Sequence, residues 1–184
     1  MSKPAAKIRF KAKLLRPASP KRASWTFLVL PATASAKLPR RGMTTVGGTL
    51  DGHPFRATLE PDGRSSHWLK VSRALREAAG VAVGDSVALE IAPLAEEPEP
   101  RVPGDFCKAL TAAADARAQW TDIMPVARQD WIHWIMSAKT AATRERRIAN
   151  ACAMLASGKR RVCCFDRSGI YGKGFGAPDP APSD

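Results

Sequence analysis

The chain is short of everything that marks a membrane span, an exported precursor or a disulfide-stapled domain. Its apolar runs are brief, Trp25 to Leu30 being one of the longer ones, whereas a bilayer-crossing helix needs roughly 20 such residues. Membrane insertion is therefore not expected. The N-terminus reads Met1-Ser2-Lys3-Pro4 and then alternates charge with hydrophobe, without the apolar stretch of a secretory signal. Cysteine occurs only at Cys107, Cys152, Cys163 and Cys164, with no Cys-x-x-Cys pair and no zinc-finger spacing. These features predict a cytoplasmic protein with reduced thiols. The vicinal pair Cys163-Cys164 is either a redox or soft-metal site or two small side chains on a late strand or turn.

Catalytic patterns are equally scarce. The histidines are His53, His67 and His133, and none falls in a His-x-x-x-His or His-Glu-x-x-His spacing. Ser65-Ser66-His67 is a local cluster without the Gly-x-Ser-x-Gly elbow of a serine hydrolase. The glycine-rich run from Tyr171 to Gly176 follows no strand and opens no helix, so it does not read as a phosphate cradle. The acids are few and scattered. The expected class is a non-enzymatic protein that calls for no metal and no cofactor.

Positive charge is what the chain has in excess. The formal net charge is +12 and the pI about 10.1. Residues 1–24 carry eight basic residues and no acid, and residues 139–161 carry seven against Glu145 alone. These segments hold +8 and +6, which leaves the rest of the chain at −2. Two basic segments on a near-neutral body suggest a polyanionic partner. Solubility alone is the competing explanation.

With 184 residues, 45 % of them hydrophobic, the chain can bury a core without staples. The first half reads as strands. Ile8, Phe10, Ala12 and Leu14 alternate with Arg9, Lys11 and Lys13, the pattern of a half-buried strand with a basic outer face. Ser24 to Leu30 is a second strand, with Trp25, Phe27 and Val29 on one side, and Pro31 ends it. Residues 32–41 are small, polar and basic, and predict a mobile loop. Met43 to Leu50 and Pro54 to Glu60 flank Asp51-Gly52, a strong hairpin signal because a type I′ turn needs two positive φ angles. Asp62-Gly63 leads to another strand, His67 to Val71. Ser72 can cap a short helix over Arg73 to Ala79, with Gly80 at its end. Ser86 to Ile91 is the last strand. Six short strands and one helix in about ninety residues suit a small closed or nearly closed barrel.

Four prolines and three glutamates between Pro93 and Pro103 mark a stiff linker. The period then becomes helical. Asp105 can cap a helix through Ala113 that buries Phe106 and Leu110. Pro125 starts a second, with Trp131, Trp134, Ile135 and Ala138 on one stripe. A third runs from about Ala141 to Ser157, with Ile148, Cys152 and Leu155 on one face, stopped by Gly158. The predicted organisation is α+β: a barrel over residues 1–92, a linker over 93–103, a helical region over 104–165 and a disordered tail over 166–184.

Two sets of residues carry a resemblance. The first is Arg41-Gly42, Val46-Gly47-Gly48-Thr49-Leu50-Asp51-Gly52, Pro54-Phe55, Leu69-Lys70-Val71, Leu75-Arg76, Ala79-Gly80 and Val83-Gly84-Asp85-Ser86-Val87. It resembles an uncharacterised bacterial family whose fold is a double-split β-barrel, distantly like the AbrB and MazE-type barrels. The second is Trp131, Trp134-Ile135, Ala138-Lys139, Thr143-Arg144-Glu145-Arg146-Arg147-Ile148 and Leu155-Ala156-Ser157-Gly158. It resembles the YdeI/OmpD-associated family, also named for bacteriocin protection. The resemblance covers about residues 5–160. It implies a role in resistance to stress or antimicrobial peptides and supplies no reaction and no catalytic residue.

The candidate site is Lys139, Arg144 and Arg147. The two arginines are three apart and share a helix face, with Lys139 just before the same helix. Such a set can hold a phosphate or carboxylate. Alternatively, one of the arginines pairs with an acid of the barrel and locks the two halves together. Trp131 and Trp134 can form an aromatic platform, or be plain core. The expected function is binding of an anionic ligand or a protein partner, with sequence-independent nucleic-acid binding as the alternative.

Overall fold

The computed structural model describes residues 6–162 and 176–182. Six strands are present in the first half: β1 (Ile8–Lys13), β2 (Thr26–Val29), β3 (Thr44–Leu50), β4 (His53–Pro61), β5 (His67–Val71) and β6 (Ser86–Pro93). All pairings are antiparallel, in the order β1-β6-β3-β4-β5-β2. One strand, β4, changes partner along its length. β4 pairs with β3 from His53 to Leu59 and with β5 only at Glu60 and Pro61. Beyond β1, which runs beside β6, the chain reaches β2: Leu15 and Phe27 exchange both backbone bonds, at 2.7 and 2.9 Å. A single isolated bridge thus links the chain just beyond β1 to β2, and the six strands form a half-barrel.

The alternation seen in β1 points Ile8, Ala12 and the following Leu14 inward, where they meet Leu28, Leu50, Leu59, Leu69, Val87 and Ile91. β2 is buried on both faces. Leu28 and the following Leu30 join the barrel core, while Phe27 is buried outside it against Trp25 and Trp68, edge-on to the latter at 6.1 Å. The hairpin β3–β4 turns as expected, with φ of +44° at Asp51 and +86° at Gly52. The β4–β5 link is not a tight Asp-Gly turn. It is a longer loop with positive φ at Gly63 and Ser65, organised by the Asp62 carboxylate, which accepts the amides of Arg64 and Ser66 at 2.7 Å.

Residues 32–41 are more ordered than expected. Ala32–Ser35 forms a helical turn, α1, and Ala34, Ser35 and Leu38 are buried. The turn is fixed from a distance. The Gly42 carbonyl can only accept, so His67 Nε2–H donates to it at 3.0 Å. His67 Nδ1 is then the acceptor for the Ser35 hydroxyl at 2.7 Å. The partner of His67 is thus Ser35 rather than the adjacent serines; Ser66 donates to the Leu30 carbonyl. The helix α2 (Arg73–Ala79) is capped as expected, Ser72 Oγ accepting the Leu75 amide and Gly80 taking φ +66°.

After β6 the chain stays on the barrel for a few residues. The Leu94 amide donates to the Thr45 carbonyl, and the buried Glu97 carboxylate accepts the Thr45 amide at 3.0 Å. One compact unit takes the chain to Glu97 together with residues 176–182, and the second begins at Pro98. The tail expected to be disordered is ordered where it is described: Pro180 bridges to Pro17. Cys163, Cys164 and the glycine-rich run before Gly176 lie outside the described residues.

Among the described residues the second unit has four helices: α3 (Gly104–Ala112), α4 (Ala114–Asp122), α5 (Pro125–Met136) and α6 (Ala141–Ala156). Its core gathers Phe106, Leu110, Trp120, Trp131, Ile135, Ile148 and Leu155. Two details correct the expectation from sequence. Pro103, not Asp105, occupies the cap position of α3, and Asp105 lies in the first turn, where a carboxylate suits the helix dipole. α4 is additional, held by the burial of Ala116 and Trp120. No helix among the described residues is long and apolar enough to cross a membrane.

Candidate functional site

The turn between α5 and α6 brings the three predicted residues into one helical unit, and each has a different situation. Thr140 starts α6 by accepting the Thr143 amide at 3.1 Å. That cap sets the phase of α6, so Arg144 and Arg147 point from its first two turns toward α3 and the end of α5.

Arg144 makes a two-pronged pair with Asp105 of α3, Nε to Oδ2 at 2.6 Å and Nη2 to Oδ1 at 2.9 Å. Its third nitrogen, Nη1, lies 2.8 Å from the Met136 sulfur at the end of α5. The guanidinium hydrogen bonds hold the Asp105 carboxyl at about 2, well below the usual carboxylate range. The acid expected on the barrel is thus found on a neighbouring helix, and the pair ties α3 to α6.

Arg147 has neutral partners. Its Nη1 donates to the Trp134 carbonyl and, at 2.8 Å, to the Ser137 hydroxyl. Its guanidinium lies 5.4 Å from the centre of the Trp134 ring, within cation–π range. The Trp134 carbonyl also accepts the Ser137 hydroxyl at 3.0 Å, and Arg147 adds a second donor and places positive charge at the negative pole of α5. Both bonds use one nitrogen, so the guanidinium keeps a planar fork of further donors. Lys139 is exposed in the turn itself.

The tryptophans divide. Trp131 is fully buried and belongs to the core, whereas Trp134 is half-buried and meets it nearly edge-on, at 6.3 Å and 76°. The pair does not present two stacked faces. Trp134 serves Arg147 instead. Sequence reasoning missed Trp134's carbonyl, Ser137 and Asp105 as partners of the two arginines. Only the acid opposite Arg144 in space carried a signal, as the expected cap of a predicted helix.

The other basic segment lies on the barrel. Along β1, Lys7 and Arg9 both engage Glu90, each at 2.6 Å. Their hydrogen bonds hold the Glu90 carboxyl below its ordinary range. Lys11 and Lys13 are exposed opposite Ala88 and Ser86. Among the described residues no three of His, Cys, Asp and Glu gather as a metal site. Cys107 and Cys152 are free thiols.

Comparison with known families divides the chain as the fold does. Residues 10–91 match a domain of unknown function, DUF1905. Residues 99–158 match the family described as Bacteriocin-protection, YdeI or OmpD-Associated. The two matched regions lie in tandem along the chain. The first match spans the barrel from β1 to β6, and the second takes in all four helices together with Arg144, Arg147 and Lys139. No curated protein matches the chain.

Proposed function

We propose that this chain is a non-enzymatic binding or adaptor protein of the bacterial cytoplasm, acting in resistance to bacteriocins, antimicrobial peptides or related stress. In this reading the α5–α6 turn takes an anionic ligand or an anionic group of a protein partner. The observation that supports it is a charge imbalance inside one turn. Asp105 is matched by Arg144. Arg147 spends one nitrogen on neutral oxygens, and Lys139 faces solvent. Arg147 and Lys139 are therefore not neutralised by that acid, and Arg147 presents a guanidinium fork of the kind that suits carboxylate and phosphate. The family name supports the defence role.

A thermal-melting series with inorganic phosphate and with citrate at low ionic strength tests the site. The melting temperature of the wild type should rise with either anion, and Lys139→Ala should lose most of that rise while melting normally without it. An unchanged wild type, or a variant that responds in full, removes the assignment. The role is tested by survival of bacteria challenged with a bacteriocin, with and without the gene.

A second reading, sequence-independent nucleic-acid binding, is favoured by the exposed Lys11 and Lys13 on a strand segment free of acids. It requires a steep salt dependence, with a log–log slope of about −0.9 per neutralised phosphate. A gel shift without a complex at low salt ends it.

A further inference from the structure

The barrel unit holds a strand-like occupant that no β-strand of the sheet provides. Residues 176–182, Gly-Ala-Pro-Asp-Pro-Ala-Pro, run antiparallel to the stretch Arg16–Ala18. The Ala18 amide donates to the Asp179 carbonyl at 2.7 Å, and the Ala181 amide donates to the Arg16 carbonyl at 2.8 Å. Farther back, the Ala177 amide reaches the Asp62 carbonyl in the β4–β5 loop at 3.3 Å. Ala181 and Pro182 then wall a cavity of about 310 Å³ with Leu15, Arg16 and Val83.

Three features suit this edge to receive an extended segment. Its contacts are backbone bonds, which read an extended conformation and leave room for other sequences. The occupant is pre-extended by Pro178, Pro180 and Pro182, so it loses little conformational entropy on docking. The charges are complementary: Asp179 is the only charged residue of 176–182, and residues 13–22 carry Lys13, Arg16, Lys21 and Arg22 without an acid.

We infer that the Arg16–Ala18 edge is a docking site for an extended, proline-rich segment bearing an acidic residue, contributed by a protein partner, and that the chain's own residues 176–182 are its resident competitor. This goes beyond the α5–α6 anion site and does not rest on it. The tail is tethered to the same chain, so its effective concentration at the edge is of order millimolar. A partner segment must displace it or arrive when it is released.

The test is fluorescence anisotropy with a labelled peptide of residues 176–182. The peptide should bind a chain ending at residue 175 and bind the full chain about tenfold or more weakly, as expected for competition with a tethered copy. Ala181→Pro in the full chain deletes a docking donor while keeping every other residue, and should raise peptide binding toward the truncated level. An Asp179→Lys peptide should bind several-fold more weakly than the native one. The inference is overturned if the truncated chain and the Ala181→Pro chain both fail to bind the peptide. It is equally overturned if full and truncated chains bind it alike. Phosphate-induced melting shifts are unaffected by either result, so the two proposals fail separately.

Discussion

Gly48 admits no side chain. A Cβ built there stands 2.0 Å from the Glu90 carbonyl oxygen and 2.8 Å from the Ile91 Cα, both backbone atoms of β6. At the neighbouring Gly47 the nearest atom is the Leu94 side chain at an ordinary 3.6 Å. Gly48→Ala should therefore cost about 2–3 kcal/mol by forcing β3 and β6 apart, whereas Gly47→Ala should change stability little; urea unfolding of the two variants checks the contrast. Asp105 makes a second prediction at this scale. Its folded carboxyl is depressed to about 2, so the Arg144 pair contributes in full above the ordinary carboxylate value near 4. That contribution is lost as pH falls through 2. The carboxylate is 47 % exposed, and solvent screening keeps the contribution at about 1 kcal/mol or less. Asp105→Asn should lower the melting temperature slightly at neutral pH and erase this part of the acid sensitivity. The shared face of Arg144 and Arg147 was legible from their spacing. Their partners were not, because which helix lies across from α6 is decided by packing of Phe106, Trp131 and Ile148 rather than by local pattern.

Among the elements, those with a local code were readable and those held by distant contacts were not. Ser72 and Gly80 bracket α2 as their chemistry requires, and Asp51-Gly52 makes the turn its two positive φ angles demand. Ser72→Ala should cost about 1 kcal/mol through loss of the cap, seen as a lower melting temperature and faster amide exchange at Leu75. By contrast α1 is four residues of alanine, threonine and serine, with no stripe and no cap to announce it. It exists because Ser35 reaches His67, which lies on β5. α4 escaped for a related reason: Ala114–Asp122 buries only Ala116 and Trp120, too thin a stripe to stand out. The tail shows the same limit. Pro178 and Pro180 speak against regular structure locally, yet the amides of Ala177, Ala181 and Ala18 find carbonyls across the fold.

At the scale of the whole molecule, two cores divide the labour. The barrel core is built from alternating strands and the helical core from aromatic side chains on α3 to α6. Each unit coincides with a family domain. Order of the domains and the change of period at Pro93–Pro103 were plain in the sequence, since a shift from period 2 to period 3.6 needs no tertiary knowledge. The charge is also divided, and much of it is spoken for: Arg9 by Glu90, Arg144 by Asp105, Arg160 by Asp122. The proposed anion binding accordingly rests on other cations, above all Lys139 and Arg147. Nuclear magnetic resonance of the full chain during a phosphate titration at low salt addresses them directly. The Arg147 side-chain Nε–H, the Trp134 indole and the Ser137–Thr140 amides should shift together and saturate, with the β1 signals unmoved. Shifts confined to Lys11 and Lys13, or no saturable shift at Arg147, would contradict the account.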